Sequence, residues 1–288
     1  MPPSLRAPRS GAVPAPLIFM GSALSQYVGA GLAVSLFALM PSTTVAWWRV
    51  LVGALVLLAW RRPWRRTWSR TGLAAAALFG IATATMNVIF YGAISRLPLG
   101  TSVSLEFLGP VIVALVTGRG WRPRVAALLA LVGVTSISGL GIDLGDPVQR
   151  AGLLFALGSG AAWAAYILLG RRVASTGSGL DALAVGMACG ALVYAPLGLP
   201  TAGGAFSSGP TLAMVVGVGV LSVAVPYGLE QVALTRLSAD AFALLSSLFP
   251  ATSLIIGIVM LHQLPNAGEL VGLVLISAAV SLASLGSS

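Results

Sequence analysis

Ala93-Ile94-Ser95-Arg96-Leu97 returns 140 residues later as Ala233-Leu234-Thr235-Arg236-Leu237, and the same offset sets Pro250 against Pro110 without a gap. Each copy of the motif joins two long apolar runs. Working outward from it, stretches of about 20 apolar residues, the length that crosses a bilayer as a helix, occur ten times. They fall at 16–39, 43–60, 72–94, 98–117, 125–141, 151–170, 180–199, 211–234, 239–261 and 267–285. Pro, Gly or Arg punctuates nearly every gap. The repeat divides these spans into five per half. Because five is odd, equivalent helices must run in opposite directions. The expected fold is therefore an all-α integral membrane protein of ten transmembrane helices in two inverted five-helix repeats. The repeats cover 16–145 and 146–288, and 1–15 forms a cytoplasmic N-terminal tail. Many secondary transporters build two alternating gates around one central site in this way.

Composition points to the same class. The chain of 288 residues is 57% hydrophobic and 8% charged, against about 25% charged in ordinary soluble domains. A net charge of +9 would suit nucleic acid. Here, however, the basic residues are short arginine clusters between apolar runs, so no nucleic-acid partner is expected. With a cytoplasmic N-terminus, thirteen arginines collect on the inner side: Arg6 and Arg9, five within 61–70, Arg119, Arg122, Arg124, Arg171, Arg172 and Arg236. The outer side keeps Arg96 and Arg150, while Arg49 opens the second span from outside. That asymmetry is the positive-inside pattern. It puts both termini in the cytoplasm, as in a bacterial inner-membrane protein. Trp47 and Trp48, and Trp60, Trp64 and Trp68, fit interfacial aromatic belts. The first apolar run is longer than the roughly 7–15 residues of a cleaved signal, so it reads as a retained helix.

Enzyme chemistry is poorly supplied. A chain without lysine has neither a Walker-A phosphate loop nor a lysine Schiff base. A single cysteine, Cys189, excludes an intrachain disulfide and reads as packing; a single histidine, His262, excludes an HExxH zinc site. His262 closes an apolar run beside Gln263 and Pro265 and reads as interfacial. Gly139-Leu140-Gly141-Ile142-Asp143 reads as a helix end and turn, not as an aspartyl protease motif. No enzyme, cofactor or metal is expected.

What remains is a pair of carboxylates at depth. Glu106 lies near the middle of its span and Glu230 nearer the cytoplasmic end of its own. An acid there costs roughly 2.5–3.5 kcal/mol on insertion scales and usually faces a bundle interior or a wet cavity. Each is read either as a carboxyl bonded to a neighbouring helix or as a group that takes a proton or meets an ammonium. Glu230 also has Arg236 within reach. Pro226 precedes Glu230 and Pro110 follows Glu106 by one turn. Each proline removes a backbone donor and frees a carbonyl, which in lipid needs a neighbour or cavity water. With Gly109 and Pro250 they are the candidate kink and gating residues of a wet centre. Gln26 and Asn87 suit either substrate or helix-to-helix bonding. Trp163 and Tyr166 share one helical face, where packing competes with substrate contact. The Gly186–Gly190 and Gly268–Gly272 pairs suit close packing within one subunit.

The segments Tyr91–Ala93 with Leu97–Gly100, Leu105–Pro110, Ala162–Leu168, Val225–Glu230 and Ala233–Leu237 resemble the EamA family of the drug/metabolite transporter superfamily. They are most similar to its threonine/homoserine exporter branch. The resemblance spans about 20–285. It implies a ten-helix bundle exporting small amino acids by proton-coupled antiport, with substrate, protons and membrane lipid as partners. Two positions depart from the pattern: Phe249-Pro250 stands where Glu-Pro is usual, and His262-Gln263 where Gly-Glu is common. The departures put coupling stoichiometry and cargo in question more than fold. Rival readings keep the fold with another metabolite or a drug-like cation as cargo, or make the chain a lipid flippase.

Overall fold

Proline sets where many helices of this chain begin, because its missing N–H is one the first helical turn cannot use anyway. Pro16, Pro147, Pro210 and Pro250 stand in first turns, and Pro41 and Pro98 immediately precede helices. Polar caps add to this. Ser69 accepts from Gly72 N at 3.0 Å and Ser208 from Thr211 N at 3.2 Å. Asp146 accepts from Val148 N at 2.8 Å.

The computed structural model describes residues 14–117, 120–140, 142–174, 179–234 and 245–284. The helices are α1 (Ala15–Leu36), α2 (Ser42–Arg61), α3 (Arg70–Ile94), α4 (Leu99–Glu106), α5 (Leu108–Thr117), α6 (Arg122–Leu140) and α7 (Pro147–Ala174). They continue as α8 (Gly179–Val193), α9 (Ala195–Gly198), α10 (Gly209–Gly219), α11 (Val225–Leu234), α12 (Phe249–Leu261) and α13 (Ala267–Ser284). Among the described residues there is no strand. Each apolar stretch read from the sequence contains helix. Among the described residues six helices are long and apolar enough to cross a membrane, or seven if the bent pair Gly179–Val193 and Ala195–Phe206 is one span. Phe249–Leu261 and Ala267–Leu282 are shorter apolar helices.

Among the described residues three of the spans are interrupted, each beside a proline: Pro110, Pro196 and Pro226. The fourth breaks at Phe107 between α4 and α5, where Pro110 has no amide for the Glu106 carbonyl. The eighth widens into a π-helical turn over Val220–Ala224 just before Pro226. Such bulges recur at functional sites. The seventh bends by 52° after Val193. Pro250 sits in the first turn of α12 and not in mid-helix.

Packing follows the small residues. α3 lies against α7 and α8, α2 against α8, α1 against α11 and α12, α4 against α12, α5 against α7, and α6 against α13. At the α3–α8 crossing a Cβ on Gly80 would stand 1.8 Å from the Gly186 carbonyl carbon, so only glycine fits. Gly190 meets Ala84 and Gly80, and Gly272 meets Ile137 and Gly133. Both glycine pairs therefore pack within the subunit.

Trp47 departs from its expected place. It is buried, donates from Nε1 to Ala191 O at 2.8 Å and packs on Gly198, because α8 covers this face of α2. Trp60 and Trp64 are exposed, as interfacial anchors would be. Arg49 also departs: it is buried instead of opening its span at the surface. His262 takes a left-handed conformation in the turn closing α12 and is exposed. Gly141, Arg119, Arg236 and most of the N-terminal tail lie outside the described residues.

Candidate functional site

A cavity of about 340 Å³ opens where α1, α2, α3, α4, α7, the π-helical turn, α11 and the start of α12 converge. The breaks described above supply its polarity. Glu106 ends α4 at the Phe107 break, and Glu230 lies one turn after Pro226. Both line the cavity, with Gln26, Asn87, Trp163 and Tyr166. All six side chains that the sequence offered as substrate or proton groups thus share one hollow. Of the kink residues, Pro226 lines it. Gly109 supports it from behind: a Cβ there would lie 2.3 Å from Gly160 O, so α5 and α7 touch backbone to backbone.

The carboxylates are held lightly. Glu106 accepts from the Ser159 hydroxyl, and Glu230 accepts from Ser22 Oγ at 3.0 Å. Neither forms a salt bridge among the described residues, where both ion pairs join Asp181 to Arg61 and Arg66. Arg236, the sequence's candidate partner for Glu230, lies outside those residues. Aromatic faces fix the walls. Phe107 meets Trp163 edge-on at 4.6 Å, Tyr166 stacks on Phe79 at 4.9 Å, and Phe249 meets Tyr27 edge-on at 5.9 Å. Phe249 is thus part of an aromatic cluster.

The sequence reading missed several groups. Arg49, Ser222, Tyr227, Met86 and Ser246 also line the cavity. Arg49 Nε donates to Ser222 Oγ at 2.8 Å, Nη2 donates to Ser222 O at 3.1 Å, and Nη1 donates to Asn87 Oδ1. Pro226 offers no amide to that Ser222 carbonyl, so the guanidinium takes up an acceptor that proline leaves open. An arginine seven residues after Ser42, inside an apolar span, was a legible signal of an intramembrane charge. Asn87 turns its amide nitrogen to Thr83 O at 2.7 Å, so its bonds run both along its helix and across to α2.

Besides Glu106, Glu269 is a buried acid. It forms a reciprocal cap with Asn266, at 3.0 Å in each direction, and accepts from Thr101 Oγ1 at 2.5 Å. Nearby, Gln263 accepts from Leu99 N at 2.9 Å. These contacts clasp the start of α4 to the α12–α13 turn. The carboxylate is committed to a capping box and lies away from the cavity.

Apolar helices enclosing a hollow with charged and aromatic walls define an integral membrane protein of the transporter class. The chain belongs to the EamA-like transporter family, whose profile matches residues 150–285. It is 37% identical over 272 residues to the threonine/homoserine exporter RhtA of Salmonella typhimurium strain LT2, covering 94% of this chain and 89% of that one. To the threonine/homoserine exporter RhtA of Escherichia coli K12 it is 36% identical over 260 residues, covering 90% and 86%. A solved crystal structure shares the fold with a TM-score of 0.61 at 21% identity, over 94% of this chain and 96% of the other. These relatives are transporters and not enzymes.

Ser159 is the hydroxyl that orients Glu106. Hydrogen bonds to charged groups contribute about 1.5–3 kcal/mol. Ser159→Ala is expected to weaken substrate binding roughly tenfold or more while leaving the melting temperature in detergent within a few degrees. Parallel calorimetry and thermal-shift measurements on the purified protein check this.

Proposed function

We propose that this protein is a secondary exporter of threonine, homoserine or related small amino acids, coupled to protons and working by alternating access around the central cavity. One observation carries the reading. In a chain related to threonine/homoserine exporters, two glutamates from different helices line a single hollow, each held, among the described residues, by a serine hydroxyl and no ion pair. A carboxyl so placed exchanges a proton for a substrate ammonium without first breaking an ion pair. Glu106 is the principal such group and Glu230 the secondary one. The bend at Phe107–Pro110 and the turn before Pro226 are the places where the helices rock, and Pro250 with its preceding turn is their counterpart.

Ten spans in two inverted repeats, 16–145 and 146–288, supply the two gates. The helix pairing supports this topology. Exchanging each helix with its counterpart in the other half turns the α3–α7 pair into α11–α1, and the α5–α7 pair into α12–α1. The α2–α8 and α6–α13 pairs map onto themselves. The arginine asymmetry supports a bacterial inner-membrane location with both termini cytoplasmic. Where the resemblance implies an acid this protein has Phe249, and one carboxylate fewer at the second gate would lower the proton stoichiometry.

A second reading keeps the cycle and changes the cargo to an aromatic amino acid or drug-like amine. It is favoured by the five aromatic side chains lining the cavity: Tyr27, Trp163, Tyr166, Tyr227 and Phe249. Counterflow in proteoliposomes distinguishes the two. Labelled threonine or homoserine should accumulate against unlabelled amino acid at both of two pH values, and more strongly under an imposed proton gradient. Accumulation of aromatic amines alone would favour the second reading, and transport indifferent to the gradient would remove the proton.

A further inference from the structure

Arg49 is a buried cation in a cavity that also holds two carboxylates, Glu106 buried and Glu230 half-buried, yet it is paired with neither. Taking a charge out of water without a counter-ion is costly, and what usually offsets it is a partner of opposite sign in direct contact. The guanidinium has five N–H groups. Among the described residues three are engaged, with Ser222 Oγ, Ser222 O and Asn87 Oδ1. One remains on each terminal nitrogen, a donor set that grips a carboxylate through two hydrogen bonds. The engaged three lock its position from two sides: Ser222 in the π-helical turn, Asn87 on α3. The Tyr91 ring, 5.4 Å from the guanidinium carbon, covers a third side.

We infer that Arg49 is the residue that binds the substrate carboxylate, so that the cavity recognises an α-amino acid by both of its charges. The inference rests on the exporter reading above and deepens it: the glutamates take the ammonium, and Arg49 takes the opposite pole. A zwitterion then supplies partners of opposite sign to site charges that do not touch one another. A simple amine leaves Arg49 unpaired, and a simple acid leaves the glutamates so. Specificity of this kind comes from the buried group that goes unsatisfied with the wrong ligand.

Calorimetry on the purified full-length protein, with L-threonine and with L-threoninol, tests the assignment. Threoninol keeps the amine and replaces the carboxylate by a hydroxymethyl group. The wild type is expected to bind threonine at least ~30-fold more tightly than threoninol. In Arg49→Gln that ratio should fall to near one through loss of threonine affinity alone, and Arg49→Lys should keep part of it. Equal binding of the two ligands by the wild type would overturn the role of Arg49 and leave the exporter reading standing. So would an Arg49→Gln protein that keeps the wild-type ratio, or one that weakens for both ligands equally at an unchanged melting temperature. If the wild type binds threonine, homoserine and other α-amino acids not at all, the exporter reading fails, and this inference with it. The wild-type comparison needs no variant to fold.

Discussion

Glu106→Gln is expected to reduce proton-driven amino-acid export by about 30-fold or more, and to leave whatever remains insensitive to an imposed pH gradient. The substitution keeps the shape of the side chain and an acceptor for Ser159. It removes the negative charge and the capacity to exchange a proton. Losing one partner of a buried charge pair costs about 2–5 kcal/mol, which is roughly 30-fold to several thousand-fold. Because Glu230 lies in the same cavity with its own hydroxyl donor, Ser22, Glu230→Gln should be the milder change. Proteoliposomes loaded with labelled threonine, with and without a proton gradient, read both effects. Transport by Glu106→Gln at the wild-type rate with the wild-type response to pH would remove this residue from the mechanism.

The second large effect concerns the scaffold. Gly80→Leu is expected to prevent assembly of the α3–α8 pair. A Cβ at residue 80 would overlap the Gly186 backbone, with carbonyl carbon, oxygen and Cα all within 2.1 Å. Rotamer changes cannot relieve a clash with backbone, so two helices must separate along their length. Ordinary overpacking costs about 1–3 kcal/mol, and a backbone collision lies above that range. The readout is the monodisperse fraction on size exclusion after mild detergent extraction, expected to fall to near zero. Gly203→Leu, at a position whose Cβ would meet nothing within 4 Å, is the matched control and should behave as wild type. A Gly80→Leu protein that is monodisperse and melts normally would show that this crossing is looser than described.

Much of the architecture can be read along the chain. Apolar runs, proline breaks and arginine clusters are local, and the helices begin and end close to where such punctuation predicts. Glu106 and Glu230 stand out because a carboxylate in a long apolar run has few stable surroundings. Glu269 was equally local in one respect, since Asn266 and Glu269 have the spacing of a capping box. Its burial against Thr101 was not, because it depends on α4 crossing the α12–α13 turn. The same holds for Trp47, whose bilayer-facing appearance gave way once α8 covered it.

Composition and order alone therefore determined that this protein lives in lipid, where its helices fall, and which two acids are exposed to the full cost of burial. Only the tertiary structure decided that those acids share a hollow with Arg49, because a cavity is made by side chains arriving from different helices. The arginine's role hangs on an acceptor that Pro226 leaves open and that lies 173 residues away. No reading of periodicity brings such groups together, since the bond exists only after the helices have packed.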